Sequence, residues 1–158
     1  MKALLQRVAR ARVSVGDEEA GRIGYGLVVL VGVADGDGQE DIDYLVNKLV
    51  NLRIFGGEGG DADRFDLSLL DINGELLLVS QFTLLADTRK GHRPSFTDAA
   101  PPTEAEELFN LFVKQAEATG LKVATGRFQQ HMQLEIHNDG PVTIMLDSKD
   151  RLRPRRQS

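Results

Sequence analysis

The chain predicts an α+β fold: a single domain in which a mostly antiparallel, barrel-like sheet carries two main helices. Three observations lead there. Several short runs alternate apolar and polar residues with the period of two that a half-buried strand requires. Only two segments show the 3.6-residue period of an amphipathic helix, and they lie far apart in the sequence. No repeat and no linker divides the 158 residues, a length suited to one core. Many strands with two separated helices favour an α+β arrangement.

The elements follow in order. Residues 1–15 alternate at Ala9, Ala11, Val13 and Val15 and read as a strand. Their arginines, Arg7, Arg10 and Arg12, could suggest a transit peptide, but the apolar region of a secretory signal is missing. Gly21-Arg22-Ile23-Gly24-Tyr25-Gly26 reads as a turn before a buried strand over 26–33. Asp35-Gly36-Asp37-Gly38 breaks the chain. A helix should follow, because Ile42, Leu45, Val46 and Leu49 fall at i, i+3, i+4 and i+7. Gly56-Gly57-Glu58-Gly59-Gly60 is expected to be a flexible loop. Leu76-Leu77-Leu78-Val79, within 75–81, reads as a central strand.

Residues 86–102 are polar, basic and proline-containing, so they form a long loop, a common place for function. The second helix should start at a capping box, Thr103 with Glu106, after Pro101-Pro102. Its apolar stripe is Ala105, Leu108, Phe109, Phe112 and Ala116, and Gly120 is a natural stop. Strands over 121–125, 132–137 and 142–146 complete the set. Asn138-Asp139-Gly140-Pro141 reads as a turn between the last two.

Composition narrows the function. The net charge is −5, which argues against a general polyanion binder and against a DNA partner. Positive charge is nevertheless clustered at Arg89-Lys90-Gly91-His92-Arg93 and at the end of the chain, from Arg151 to Arg156. Each cluster reads first as a solvated loop or tail, and a local RNA contact is compatible with either. There is no cysteine, hence no disulfide and no thiol nucleophile. No apolar run approaches the roughly 20 residues that span a bilayer, so a soluble cytoplasmic protein without a membrane partner is expected. Phosphate-loop and zinc-helix signatures are missing, and His92, His131 and His137 lack metal spacing. No metal and no cofactor is expected. His131 and His137 could share a strand face, in a structural or surface role.

Two segments carry possible chemistry. A strand ending in Ser80-Gln81-Phe82-Thr83 puts hydroxyls and an amide where backbone N–H groups begin to run free, which can build an oxyanion hole. The plainer reading is that Ser80 and Thr83 satisfy local backbone groups. Gly140-Pro141 combines a permissive residue with one that lacks an N–H, a way of aiming two carbonyls unusually. Alone, it is a plain turn.

Five motifs taken together go further: Leu5-Gln6-Arg7-Val8, Ser80-Gln81-Phe82-Thr83-Leu84, Lys90-Gly91-His92-Arg93-Pro94-Ser95-Phe96, Thr125-Gly126-Arg127-Phe128 and Asn138-Asp139-Gly140-Pro141-Val142-Thr143. Over residues 1–147 the chain resembles the D-aminoacyl-tRNA deacylase family. The resemblance implies a homodimer that hydrolyses the ester between a D-amino acid and the 3′ end of tRNA. It assigns catalysis to Ser80, Gln81, Phe82 and Thr83. A cis Gly140-Pro141 would enter the partner's active site as a chiral gate, oriented by Arg7. Phe128 and Met132 would hold the terminal adenosine, with Arg89, Lys90 and Arg93 on the tRNA. A deacylase-like domain over 1–148 and a basic tail over 149–158 without fixed structure are expected.

Two positions depart from the family pattern. Gln129-Gln130 stand where small residues are common, and Phe65-Asp66-Leu67-Ser68 where Met-Asn is common. An aminoacyl ester is already activated, so holding a water and stabilising the oxyanion can suffice. A tRNA hydroxyl would assist the water, and Thr83 as nucleophile is the alternative. A pocket that excludes L side chains cannot exclude glycine, so glycyl-tRNA, including glycine mischarged on tRNA-Ala, should also be cleaved. A non-catalytic oligomeric RNA-binding protein and a hydrolase of another small ester or amide remain the rival readings.

Overall fold

The amino-terminal alternation forms one long strand, β1 (Lys2–Val15), in the computed structural model, which describes residues 1–57, 61 and 63–155. Five further strands follow: β2 (Glu18–Ile23), β3 (Gly26–Gly32), β4 (Glu75–Ser80), β5 (Val123–Thr125) and β6 (Gln133–Asp147). β1 organises the sheet. β6 pairs antiparallel along nearly its whole length, from Lys2↔Asp147 to Ser14↔Gln133. A strand has only two edges, so β3 and β2 share the other: β3 pairs with residues 2–8 and β2 with residues 11–15, both antiparallel. β4 and β5 then add in parallel, giving a mixed sheet.

The sheet curls until it nearly closes as a barrel. Gly21 on β2 lies so close to β5 that a Cβ there would sit 2.7 Å from the Thr125 carbonyl oxygen. This corrects the expected turn over 21–26. The exposed, glycine-containing segment is a strand, because β1 offers it an unpaired edge, and the chain turns only at Gly24 and Tyr25.

The second correction concerns Gly140-Pro141. The two runs around it are one strand, β6, not two strands joined by a hairpin turn. Both halves pair with β1 in the same direction, but the register jumps from Val8↔Asn138 to Gln6↔Thr143. Residues 139–142 therefore oppose Arg7 alone and are extruded as a wide bulge.

The helices are α1 (Gln39–Asn51), a short α2 (Leu69–Ile72) and α3 (Pro102–Glu117). The expected capping box at Thr103 does not form. Pro102 occupies the first helical turn, where its missing N–H costs nothing, and the helix begins before Thr103 can cap it. A reciprocal cap appears instead at α2: Ser68 Oγ accepts from the Asp71 N–H at 3.1 Å, and Asp71 Oδ2 accepts from the Ser68 N–H at 2.9 Å. Of the expected loop at 56–60, Glu58, Gly59 and Gly60 lie outside the described residues. The chain beyond β6 is less free than expected: Ser148–Leu152 form a 3₁₀ turn, and Arg151 pairs with Glu40 and Asp41 of α1 at 3.5 and 3.7 Å.

β4 shows why a run of four apolar residues suits a central strand. Leu76 and Leu78 face the cluster under α1 and α3, while Leu77 and Val79 face the barrel interior with Val8, Ala11, Val13 and Val28. A strand flanked by parallel neighbours is buried on both faces. Phe112 of α3 is fully buried in the first cluster. Phe112→Ala should cost about 3–5 kcal/mol of unfolding free energy, measured by denaturant titration.

Candidate active site

β4 stops where its pairing stops. The Gln81 N–H still donates to the Val31 carbonyl at 2.8 Å, and the chain then winds into a 3₁₀ turn, Phe82–Leu85. The first N–H groups of any helical turn have no acceptor within it. Among the described residues nothing accepts from the Phe82 or Thr83 N–H. Gln81 Nε2 donates to Thr83 Oγ1, so the two side chains brace each other. Phe82 is 55% exposed and meets Phe96 edge-to-face at 4.9 Å between centroids.

This strand end forms one wall of a cleft of about 740 Å³. Ser80, Gln81, Phe82, Phe128 and Met132 all line it, so the structure brings together the candidate chemistry and the candidate adenosine contacts. Thr83 stands beside the cleft on the same turn. Gly126 lets Met132 approach: a Cβ at that position would lie 2.6 Å from Sδ, and the Arg127 N–H reaches the same sulfur at 3.4 Å. Gln129 adopts a positive φ of 59°, a conformation that suits glycine better than glutamine.

Several lining residues were not assigned to the site from the sequence: Phe96, Pro101, Pro102 and His131 also form its walls. The long loop that carries Phe96 and Pro101 docks on the segment after β3, with Ala100 N–H to Val33 carbonyl at 3.0 Å and Asp35 N–H to Asp98 carbonyl at 2.9 Å. Phe96 belongs to a quoted motif, and the Pro-Pro pair marks a helix start. Neither signal says which surface is faced. His131 and His137 do not share a strand face, because β6 begins after His131. His131 lines the cleft, whereas His137 lies on the outer side of the sheet.

The basic loop lies outside this cleft. Asp87 and Ser95 close it with paired backbone bonds of 2.8 and 2.9 Å. Arg89 turns back on its own loop: Nε and Nη2 donate to the two Asp87 carboxylate oxygens at 2.9 and 2.7 Å. Arg89 is therefore partly neutralised, while Lys90 and Arg93 are exposed and without an ion pair among the described residues.

Arg7 and Gly140-Pro141 form a second assembly. Arg7 is fully buried. Nε donates to the Asp139 carbonyl at 3.0 Å, Nη1 to the Ile54 carbonyl at 2.9 Å and Nη2 to Asp63 Oδ1 at 3.0 Å. Asn138 Oδ1 accepts from the Val142 N–H at 3.0 Å, closing the bulge from its other end. Between these ties the Gly140-Pro141 bond is cis and both residues are exposed. Gly140 has a φ of +126°, and a Cβ there would lie 3.0 Å from Arg7 Nη2. Neither residue lines the cleft of its own chain.

The Arg89 hydrogen bonds hold the Asp87 carboxyl down to about 2 from an ordinary 3.8. A depressed carboxyl stabilises the folded loop above the ordinary range, and that contribution is lost as pH falls through about 2. An NMR titration should place the Asp87 midpoint near about 2, and Arg89→Ala should return it towards 3.8. An unshifted wild-type midpoint would remove the pairing.

The family model and the relatives in sequence agree on one family. The family model described as D-Tyr-tRNA(Tyr) deacylase matches residues 4–147. A D-aminoacyl-tRNA deacylase of Dehalococcoides mccartyi is 61% identical, covering 98% of this chain and 99% of the relative. One from Natranaerobius thermophilus is 55% identical, covering 94% and 97%. Among solved structures, the c-Myc DNA Unwinding Element Binding Protein is 42% identical, covers 93% of this chain and 98% of its own, and superposes with a TM-score of 0.86. A probable eukaryotic D-amino acid tRNA deacylase shares the fold at 18% identity and a TM-score of 0.79, covering 92% and 97%. A match over nearly the whole chain, joined to a cleft built on the strand end at Ser80, establishes that this chain belongs to the D-aminoacyl-tRNA deacylase family.

Proposed function

We propose that the chain hydrolyses the ester between a D-aminoacyl group and the 3′ end of tRNA, and that two subunits build each site. The observation that carries this reading is the cleft that holds Phe82, Phe128 and Met132, at whose edge the Phe82 and Thr83 N–H groups are unbonded among the described residues. The aromatic ring and the thioether offer the apolar contact a terminal adenine needs. The two N–H groups lie where an ester carbonyl can be polarised.

In the proposed reaction a water adds to the carbonyl carbon, and negative charge collects on the carbonyl oxygen. The Phe82 and Thr83 N–H groups receive it, and loss of one such donor is worth roughly 3–4 kcal/mol of barrier. The tetrahedral intermediate then expels the ribose oxygen, which takes a proton as it leaves, and the free D-amino acid departs. A substrate ribose hydroxyl positions the water. Thr83 is a poor nucleophile in this setting: its oxygen is already engaged by Gln81, and among the described residues no carboxylate or imidazole hydrogen-bonds to it.

Selectivity is assigned to Gly140 and Pro141 of the opposite subunit. Their carbonyls accept from the substrate's α-ammonium. With ammonium and ester held, the side chain has one direction left in a D residue, towards solvent. In an L residue it is driven into the carbonyls and excluded. The exposure of this pair, away from its own cleft, is what favours action in a partner's cleft. Lys90 and Arg93 remain available for tRNA phosphates, with Arg89 weakened in that role by Asp87.

Purified protein incubated with D-tyrosyl-, L-tyrosyl- and glycyl-tRNA should cleave the first and the third and spare the second. Cleavage of neither tyrosyl ester would leave a nucleic-acid binder, and cleavage of both would end the exclusion argument. Thr83→Ala should retain deacylation within about tenfold of wild type, since only a neutral hydrogen bond is lost. Complete loss with intact folding would make its hydroxyl the nucleophile.

A further inference from the structure

We propose that the outer face of β1, β2 and β6 is a second contact for the substrate tRNA, a cleft that binds phosphodiester groups inboard of the 3′ end. The cleft encloses about 460 Å³ and carries Arg10, Arg12 and Arg22 with His137, against Glu135 as its one carboxylate. It inverts the charge of a chain whose net charge is −5.

The strand register makes this concentration costly in the absence of an anion. Arg12 of β1 stands directly opposite Arg22 of β2, with Glu135 of β6 facing it from the other side. Like charges facing each other across a sheet are destabilising. The existing pairings relieve this only in part, because they lie at exposed positions where ion pairs contribute little.

Those same pairings aim the donors. Arg12 meets Glu135 through Nε, which leaves both terminal nitrogens free of partners among the described residues. Arg22 meets Glu19 through Nε and Nη2, leaving Nη1. Arg10 has no ion pair among the described residues. Terminal guanidinium nitrogens held in a fork suit the paired oxygens of a phosphate.

Position makes the substrate tRNA the fitting occupant. β6 alternates: Leu134 lines the candidate active-site cleft, while Glu135 and His137 face this one. His137 precedes Gly140 by three residues, about 10 Å of extended strand. On the proposed reading, Gly140 meets the α-ammonium of a substrate held in the partner's cleft. Arg10, paired with His137, then stands on the stretch of sheet that leads into that contact. The inference rests on that reading.

The test uses the full chain, titrated with deacylated full-length tRNA at several salt concentrations, beside cleavage of D-tyrosyl-tRNA and D-tyrosyl-adenosine. Arg10→Gln with Arg22→Gln should weaken tRNA binding about tenfold or more at low salt and flatten the salt slope by about two. Cleavage of D-tyrosyl-adenosine should hold at the wild-type rate. Glu135→Gln, which releases Arg12, should tighten tRNA binding and steepen the slope. Unchanged affinity and slope in the double variant would overturn the inference, as would parallel loss of D-tyrosyl-adenosine cleavage, which marks a structural effect. Failure of the wild-type protein to cleave either D-ester would instead overturn the deacylase reading, while the binding data would still decide the site.

Discussion

A guanidinium buried at the centre of β1 governs the arrangement of this protein. Arg7 has no exposed surface, and a buried charge without partners costs several kcal/mol. Its partners must therefore converge from three places: the Ile54 carbonyl after α1, Asp63 in the following loop and the Asp139 carbonyl on β6. Meeting them binds the end of the helical layer to the long antiparallel pair. It also pulls Asp139 inward, so that the next residues must turn outward before Thr143 regains its place opposite Gln6. The exposed Gly140-Pro141 pair is the consequence, and a glycine is needed because any Cβ would press on the guanidinium.

The candidate active-site cleft arises from a different constraint on the same sheet. β4 is a parallel strand buried on both faces, and its ladder ends at Gln81. A buried strand that runs out of partners next to a loop leaves donors at its end, and here the 3₁₀ turn presents those of Phe82 and Thr83. The bulge faces away from this cleft. The proposed dimer joins what one chain keeps apart.

Periodicity made much of this legible. β1, β3, β4, α1 and the buried stripe of α3 fall where alternation or the 3.6-residue repeat put them. β2 was hidden because Gly21, with Gly24 and Gly26 just after the strand, resembles a turn, and only the free edge of β1 makes it a strand. β6 was hidden by Gly140-Pro141, which ordinarily ends a strand. Pairing with β1, at the other end of the chain, carries the strand through, which no local signal reports. The Ser80–Thr83 strand end was legible because hydroxyls and an amide close an apolar run. Phe96, Pro101 and Pro102 were not, since their place in the cleft depends on how the 86–101 loop docks on the segment after β3.

The central claim is that the bulge of one subunit completes the cleft of another, and mixed dimers test it most directly. Gly140→Val disables the bulge by crowding Arg7, and Phe82→Pro disables the cleft by deleting a backbone donor. Each variant alone should be inactive on D-tyrosyl-tRNA. Co-expressed with different tags and purified as mixed dimers, the pair contains one cleft and one bulge that are both intact, on opposite subunits. The account predicts recovery of about half the wild-type activity, from one working site in two. Mixed dimers as inactive as their parents would contradict it.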